Sequence, residues 1–138
     1  MSAPTFIDTG YILALVNIGD QWHGPARAAS KAVPPPFVTT ESVLVEIGNA
    51  LARARWRSLG SAAIQDLRAD PDIEVVPVDG VLFGRAVTMY ASRPDKEWGL
   101  TDCISFVVMQ ERGLTQALTT DRHFGQAGFE STLPAPDR

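Results

Sequence analysis

The chain has 138 residues, 45% of them hydrophobic and 20% charged, with a formal net charge of −4. That length suits one domain with its own core, and the acidic balance lacks the basic surplus of generic nucleic-acid binders. One cysteine, Cys103, and two histidines, His23 and His123, exclude an internal disulfide, a Cys-rich zinc site and a His-only metal cage.

The charge does not settle the partner. Committing four of the 16 acids to cations leaves 12 against 12 Lys and Arg. The longest apolar runs, Tyr11 to Val16 and Phe106 to Met109, are too short to span a bilayer. No basic region, apolar core and cleavage site open the sequence. No membrane association and a cytoplasmic location are therefore expected.

In chain order, Pro4 to Ile7 reads as a short buried strand that ends at Asp8, and Gly10 permits a tight exit into a helical run, Tyr11 to Val16. Asp20 can cap a helix over about 21–32. Pro34-Pro35-Pro36 stops it and hands over to a second strand, Phe37 to Thr39. Thr40 caps a long helix from Glu41 to about Arg57, with Val43, Leu44, Ile47, Ala50, Leu51 and Ala54 at helical spacing. Gly60 is expected to break it, before a short amphipathic helix over 61–69. Ile73 to Val78 is a third strand, and Pro77 suggests an edge or a strand end. Asp79 caps a helix over 80–92, and 93–99 is a polar loop. Thr101 caps an apolar helix, Asp102 to Glu111, ended by Gly113. Gln116 to Thr119 is a fourth strand, 121–126 a turn or short helix, and Phe129 to Thr132 a small fifth strand. A loose tail is expected over 133–138. Strands alternate with helices throughout, so residues 1–138 read as one α/β domain with a mostly parallel sheet of four to five strands.

In such sheets ligands collect outside the carboxyl ends of the strands. Asp8 follows strand one, Asp121 follows strand four, and Asp102 opens the helix before that strand. Glu46 shares a helix face with Val43 and Ala50. Buried there unpaired it would be costly, so it needs a cation, a base or a water-filled cleft. Each acid has a plainer reading: Asp8 and Asp121 as caps, Asp102 as a complement to the helix dipole, Glu46 as a surface acid. Together they form a carboxylate cluster that cannot stay ionised without cations. Oxygen ligands in this number favour Mg²⁺ or Mn²⁺ over zinc, and such sites activate water for attack at phosphorus.

The stretches FIDTGYILALVN, TTESVLVEIGNALAR, WGLTDCISFVVMQERG and ALTTDRHFGQAGF resemble, in order and spacing, those of PIN-domain ribonucleases, most closely the VapC-type toxins of bacterial toxin–antitoxin pairs. The resemblance runs from Thr5 to about Phe129, and the family's acids fall on Asp8, Glu46, Asp102 and Asp121. It implies a three-layer α/β/α sandwich, Mg²⁺- or Mn²⁺-dependent endoribonuclease activity, products with 5′-phosphate and 3′-hydroxyl ends, a cognate antitoxin and a homodimer. The antitoxin is expected to pack on the early helices and to direct an Arg at the acids.

Around the acids, Thr119 can orient a carboxylate or water, and Asn49 can fix Glu46 or touch RNA. Ser105 lies one turn from Asp102, with plain packing as its rival reading. His123 stands where members of the resembled family often carry another acid or a histidine; it can contact phosphate, with a surface turn histidine as the plainer reading. His23, after Trp22, reads as a packed or capping residue. Arg53, Arg55 and Arg57 with Trp56 form a basic, aromatic patch fit to grip RNA; cations at a helix C-terminus explain the same residues without RNA. The 93–99 loop, with Arg93, Lys96 and Trp98, can help select substrate. The rival functions are a non-catalytic PIN-like module that binds RNA or protein, a receiver-like phospho-acceptor domain and a small-molecule phosphatase. The phospho-acceptor would need a lysine after its last core strand, where neither Lys31 nor Lys96 falls. A phosphatase of the aspartyl-phosphate type would need a second acid where Gly10 stands.

Overall fold

The computed structural model describes residues 3–134 and 136. Strand β1 (Thr5–Ile7) is buried along its whole length and lies at the centre of the sheet. It pairs in parallel with β2 (Phe37–Thr40) on one side and β4 (Gln116–Leu118) on the other. Strand β3 (Ile73–Val76) adds to β2, and β5 (Glu130–Ser131) adds to β4, giving the order β3-β2-β1-β4-β5 with every pairing parallel. A strand buried on both faces has no need of alternation, and Thr5-Phe6-Ile7 has none. Pro77 directly follows the edge strand β3, where its missing N–H breaks no ladder bond.

Among the described residues, seven helices flank the sheet in the three-layer α/β/α plan: α1 (Thr9–Val16), α2 (His23–Ala32), α3 (Glu41–Ala50), α4 (Ala54–Ala69), α5 (Gly80–Ser92), α6 (Leu100–Arg112) and α7 (Arg122–Gln126). The pairs α1 with α2, α3 with α4 and α5 with α6 pack together. Phe106 of α6 meets Trp98, Phe124 of α7 and Phe129 at ring distances of 5.0, 4.9 and 5.6 Å. Each such aromatic pair adds roughly 0.5–1.5 kcal/mol beyond the burial of its area. This cluster holds the start of α6, one turn before Phe106, against the start of α7, three residues before Phe124. Those two starts carry Asp102 and Asp121.

The helices depart from expectation in the middle of the chain. One helix was expected over 41–57, a break at Gly60 and a second helix over 61–69. Instead α3 ends at Ala50, with Leu51 as its C-cap, and α4 runs unbroken from Ala54 to Ala69 through Gly60. The guanidinium Nη1 of Arg57 donates to the carbonyl of Ala52 at 2.9 Å, which satisfies an acceptor freed by the break. Gly60 is buried, and a Cβ there would lie 3.0 Å from Cβ of Leu51. The glycine is present for close helix contact, not as a terminator. At α6 the helix begins at Leu100 with Gly99 as N-cap, so Thr101 lies inside it. The Thr101 hydroxyl instead pairs with that of Ser42 at 2.7 Å. Thr40 and Asp79 do cap, accepting from the N–H of Val43 and of Leu82. The expected tail falls in part on residues 135, 137 and 138, outside the described residues; Leu133 is buried in the core.

Candidate metal centre

Asp8 is the residue after β1, and Asp121 lies three residues after β4, so both emerge at the carboxyl edge of adjacent strands. They open into a cleft of about 540 Å³ lined by Asp8, Thr9, Gly10, Glu46, Asp102, Thr120, Asp121, Arg122 and His123. All four expected acids therefore face one cavity.

Their surroundings differ. Asp8 is 5% exposed. It occupies the N-cap position of α1, yet its side chain makes no capping hydrogen bond. The Thr119 hydroxyl donates to its Oδ2 at 2.8 Å. Burial raises the Asp8 carboxyl to about 7, Asp102 and Asp121 push the same way, and the Thr119 hydroxyl and the Thr9 backbone only partly offset this. Asp102 is also raised, by burial first and then by Asp121. Its Oδ2 accepts from the N–H of Gly99 at 3.2 Å, so it caps α6 and faces the cleft at once. Asp121 caps α7, accepting the N–H of His123 at 2.8 Å, while its own N–H donates to Thr119 Oγ1 at 2.9 Å. Thr119 thus ties Asp8 to the Asp121 loop.

Glu46 is not on a buried face: it and Ala50 are exposed, and Glu46 stands at the cleft rim. Its Oε1 accepts from the Thr9 hydroxyl at 2.6 Å. Thr9 was missed by sequence reasoning, because one hydroxyl in a helix's first turn carries no signal of a partner 37 positions away. Arg122 was missed as well, and it is an exposed cation on the cleft wall.

The neighbouring residues separate sharply. Besides Thr119, His123 reaches the acids: its Nδ1 lies 3.2 Å from Asp102 Oδ2 and 3.2 Å from Asp121 Oδ1. Asn49 lines a different groove, between α3, α4 and β3, and not the acid cleft. Ser105 is buried and its hydroxyl donates to the carbonyl of Thr101 within α6, away from the carboxylates. His23 Nδ1–H donates to the Ala14 carbonyl at 2.8 Å, which docks α2 on α1.

Arg53, Arg55, Trp56 and Arg57 are exposed but outside the acid cleft. They sit at the start of α4, not the end of the Glu46 helix. The dipole of that terminus opposes cations, so the plainer reading of the patch as a favourable helix C-terminus fails. Arg55 stacks over Trp56 at 5.1 Å. Trp98, by contrast, is buried, donates from Nε1 to Gln126 and lies under Arg93. Its face is not free for a base, so the 93–99 loop offers no aromatic platform.

The donors fit a divalent cation. Oxygens of Asp102 and Asp121 and the His123 ring nitrogen all lie within 4.8 Å of one another, beside an Asp8 carboxyl raised toward neutrality by burial and, less, by those two acids. Hard carboxylate oxygens are the ligands of Mg²⁺ and Mn²⁺. Among the described residues no helix is long and apolar enough to cross a membrane.

Comparison with known proteins gives the same frame. A family model described as the PIN domain matches residues 5–130, which include all four acids. The 23S rRNA-specific endonuclease VapC20 of Mycobacterium tuberculosis is 31% identical over 129 residues, covering 94% of this chain and 98% of its own. The crystal structure of that toxin, described as cleaving the Sarcin-Ricin loop, superposes with a TM-score of 0.88 at 30% identity, covering 94% of this chain and 99% of that one. FitAcB of Neisseria gonorrhoeae shares the fold at 15% identity and a TM-score of 0.66, over 92% of this chain and 95% of its own. With strand order, acid cleft and a match along nearly the whole folded length in agreement, the chain belongs to the PIN-domain family.

Proposed function

We propose that this protein is an Mg²⁺- or Mn²⁺-dependent endoribonuclease, the toxin of a toxin–antitoxin pair. The observation that carries the reading is the convergence of Asp8, Glu46, Asp102 and Asp121 on one cleft in a homologue of an rRNA endonuclease. Asp8 and Asp102 would hold the principal cation, with Glu46 and Asp121 completing the ring directly or through water. When bound, the cation supplies positive charge at the scissile phosphate and a more acidic water.

The chain's own groups then divide the remaining work. The Thr119 hydroxyl keeps Asp8 turned into the cleft. The Thr9 hydroxyl fixes Oε1 of Glu46, which leaves Oε2 to accept a proton from the attacking water. Arg122 on the wall is placed to meet a phosphate oxygen. The Arg55–Trp56 stack on α4 provides a flat cationic surface for an unpaired base. Ribosomal RNA is the first substrate to try, since that is what the curated relative cuts.

The partners follow from the same kinship: an antitoxin that blocks the cleft, with an Arg directed at the acids, and a second copy of the chain. For the second copy, α5 presents Phe83, Val87 and Tyr90 at helical spacing, 46%, 39% and 54% exposed. Such a stripe is the face offered for that contact. A cytoplasmic location is part of the same reading.

The test is cleavage of total RNA and of intact ribosomes with Mg²⁺, Mn²⁺ or chelator, beside Asp102→Asn. The expected result is metal-dependent fragments lost at least 100-fold in the variant, on the order of what one charge-stabilising group contributes. Full activity in Asp102→Asn would remove the assignment. RNA binding with no turnover under any metal would favour a non-catalytic module.

A further inference from the structure

The carboxylates are not the only donors at the cleft. His123 Nδ1 stands between Oδ2 of Asp102 and Oδ1 of Asp121, at 3.2 Å from each. The two acids come from different elements, the first turn of α6 and the cap of α7, so the imidazole closes a gap between them.

The spacing is informative. A charge-assisted N–H···O⁻ bond draws its atoms to about 2.7–2.9 Å. Here the contact with Asp102 is a long hydrogen bond, and the ring divides itself between two oxygens. Donors ~2.1 Å from one ion and at right angles are ~3.0 Å apart. Each imidazole–carboxylate distance is thus close to that between neighbouring corners of one coordination shell, and all three donors lie within 4.8 Å of one another. The backbone holds the arrangement, because the N–H of His123 donates to Asp121 Oδ1 at 2.8 Å. That bond fixes the backbone from which the ring projects beside the two acids. A second, separate feature of the same cleft concerns Asp8. Asp8 is 5% exposed and faces the cleft, and among the described residues its only side-chain hydrogen-bond partner is Thr119. A buried carboxylate with no positive side chain against it is either held neutral by a proton or, once ionised, in need of a cation.

We propose that His123 is a direct nitrogen ligand of the cleft's divalent ion, with Asp102 and Asp121, and that this donor makes the site prefer a transition ion such as Mn²⁺ over Mg²⁺. The inference rests on the metal-binding reading of the cleft and adds to it a ligand and a selectivity. An imidazole binds Mn²⁺ and later transition ions better than it binds Mg²⁺, which prefers oxygen and keeps its waters. A carboxylate at position 123 would leave an all-oxygen site with no such bias.

Mn²⁺ itself is the probe, with pulsed electron paramagnetic resonance on the full chain. The wild-type protein is expected to show coupling of the bound Mn²⁺ to a histidine nitrogen, changed when histidine is labelled with ¹⁵N. The coupling should persist in His23→Asn, since His23 is engaged by Ala14. In His123→Ala, with folding checked by circular dichroism, it should vanish. Mn²⁺ affinity by calorimetry should fall about tenfold or more, with a smaller change for Mg²⁺, so that the ratio of the two narrows. Mn²⁺ bound in wild type and lost in Asp102→Asn, but with no nitrogen coupling, would overturn the His123 ligand and leave the nuclease reading standing. No Mn²⁺ binding by wild type at all would overturn both. Because the decisive reading is on the labelled wild type, failure of one variant to fold does not protect the proposal.

Discussion

Thr119 is the residue whose loss should say most about the site. Its hydroxyl donates to Asp8 and accepts from the Asp121 N–H, and it is 1% exposed. Thr119→Val keeps the shape and leaves both partners unpaired in a dry place. The expected cost is roughly 1–3 kcal/mol of stability, read by urea unfolding. Metal affinity should fall about 10–100-fold, as for the loss of a group that orients a ligand. Thr119→Ser should restore most of both, and a valine variant that binds metal as well as wild type would show that the bond positions nothing. At this scale the sequence was legible where a residue's place followed from its element. Asp8 and Asp121 stand just past strands, and a parallel plan puts such residues at one edge. Glu46 was selected by a stripe argument that assumed burial, and it reached the cleft while exposed. Thr9, Arg122 and the position of His123 depend on how α1 and α7 start, which no short spacing encodes.

At the scale of elements, glycine shows where local reading stops. Gly60 and Gly84 both lie within helices, yet a Cβ on Gly60 meets Leu51 at 3.0 Å while one on Gly84 meets nothing within 4 Å. Alanine in a helix gains about 1 kcal/mol over glycine. Gly84→Ala should therefore stabilise by roughly that amount, less any fraying. Gly60→Ala gains the same propensity but forces α3 and α4 apart, and overpacking costs about 1–3 kcal/mol. Thermal unfolding should rank the three proteins Gly84→Ala, wild type, Gly60→Ala. A Gly60→Ala variant more stable than wild type would show that the helices yield freely. The same contact explains the misplaced break. Leu51-Ala52-Arg53 contains neither glycine nor proline, and a helical pattern runs through it. What ends α3 is the packing of α4 back upon it, a long-range cause that propensity cannot express. The aromatic group of Phe106, Phe124 and Phe129 was visible only as separate apolar positions, though its packing is what brings Asp102 to Asp121.

For the molecule as a whole, alternating strands and helices sufficed to predict a parallel sheet in three layers, while the order β3-β2-β1-β4-β5 came only with the structure. That order sets β1 beside β4 and so concentrates negative charge at one edge, which links stability to pH. The Asp8 carboxyl, ordinarily near 3.8, is raised to about 7 in the folded chain, chiefly by burial. Between those values the native state holds a proton that the unfolded state has released. Stability is then fully present below pH ~4 and falls as pH rises toward ~7. The span corresponds to roughly 4 kcal/mol at most, and Asp102, raised as well, acts with the same sign. Glu74 and Asp95 are lowered by Arg112 and Arg93 and act oppositely, but both are at the surface, where solvent and salt weaken such pairs. The metal-free protein should thus lose stability from pH 5 to pH 8, and Asp8→Asn should flatten much of that slope and be the more stable at pH 8. Saturating Mn²⁺ should stabilise wild type most at pH 8, where the carboxylates are ionised and free to bind. Denaturant unfolding across this range, with and without the ion, measures all three slopes. A wild type equally stable at pH 5 and pH 8 without metal would mean that the cleft carries no stored charge for a cation to relieve.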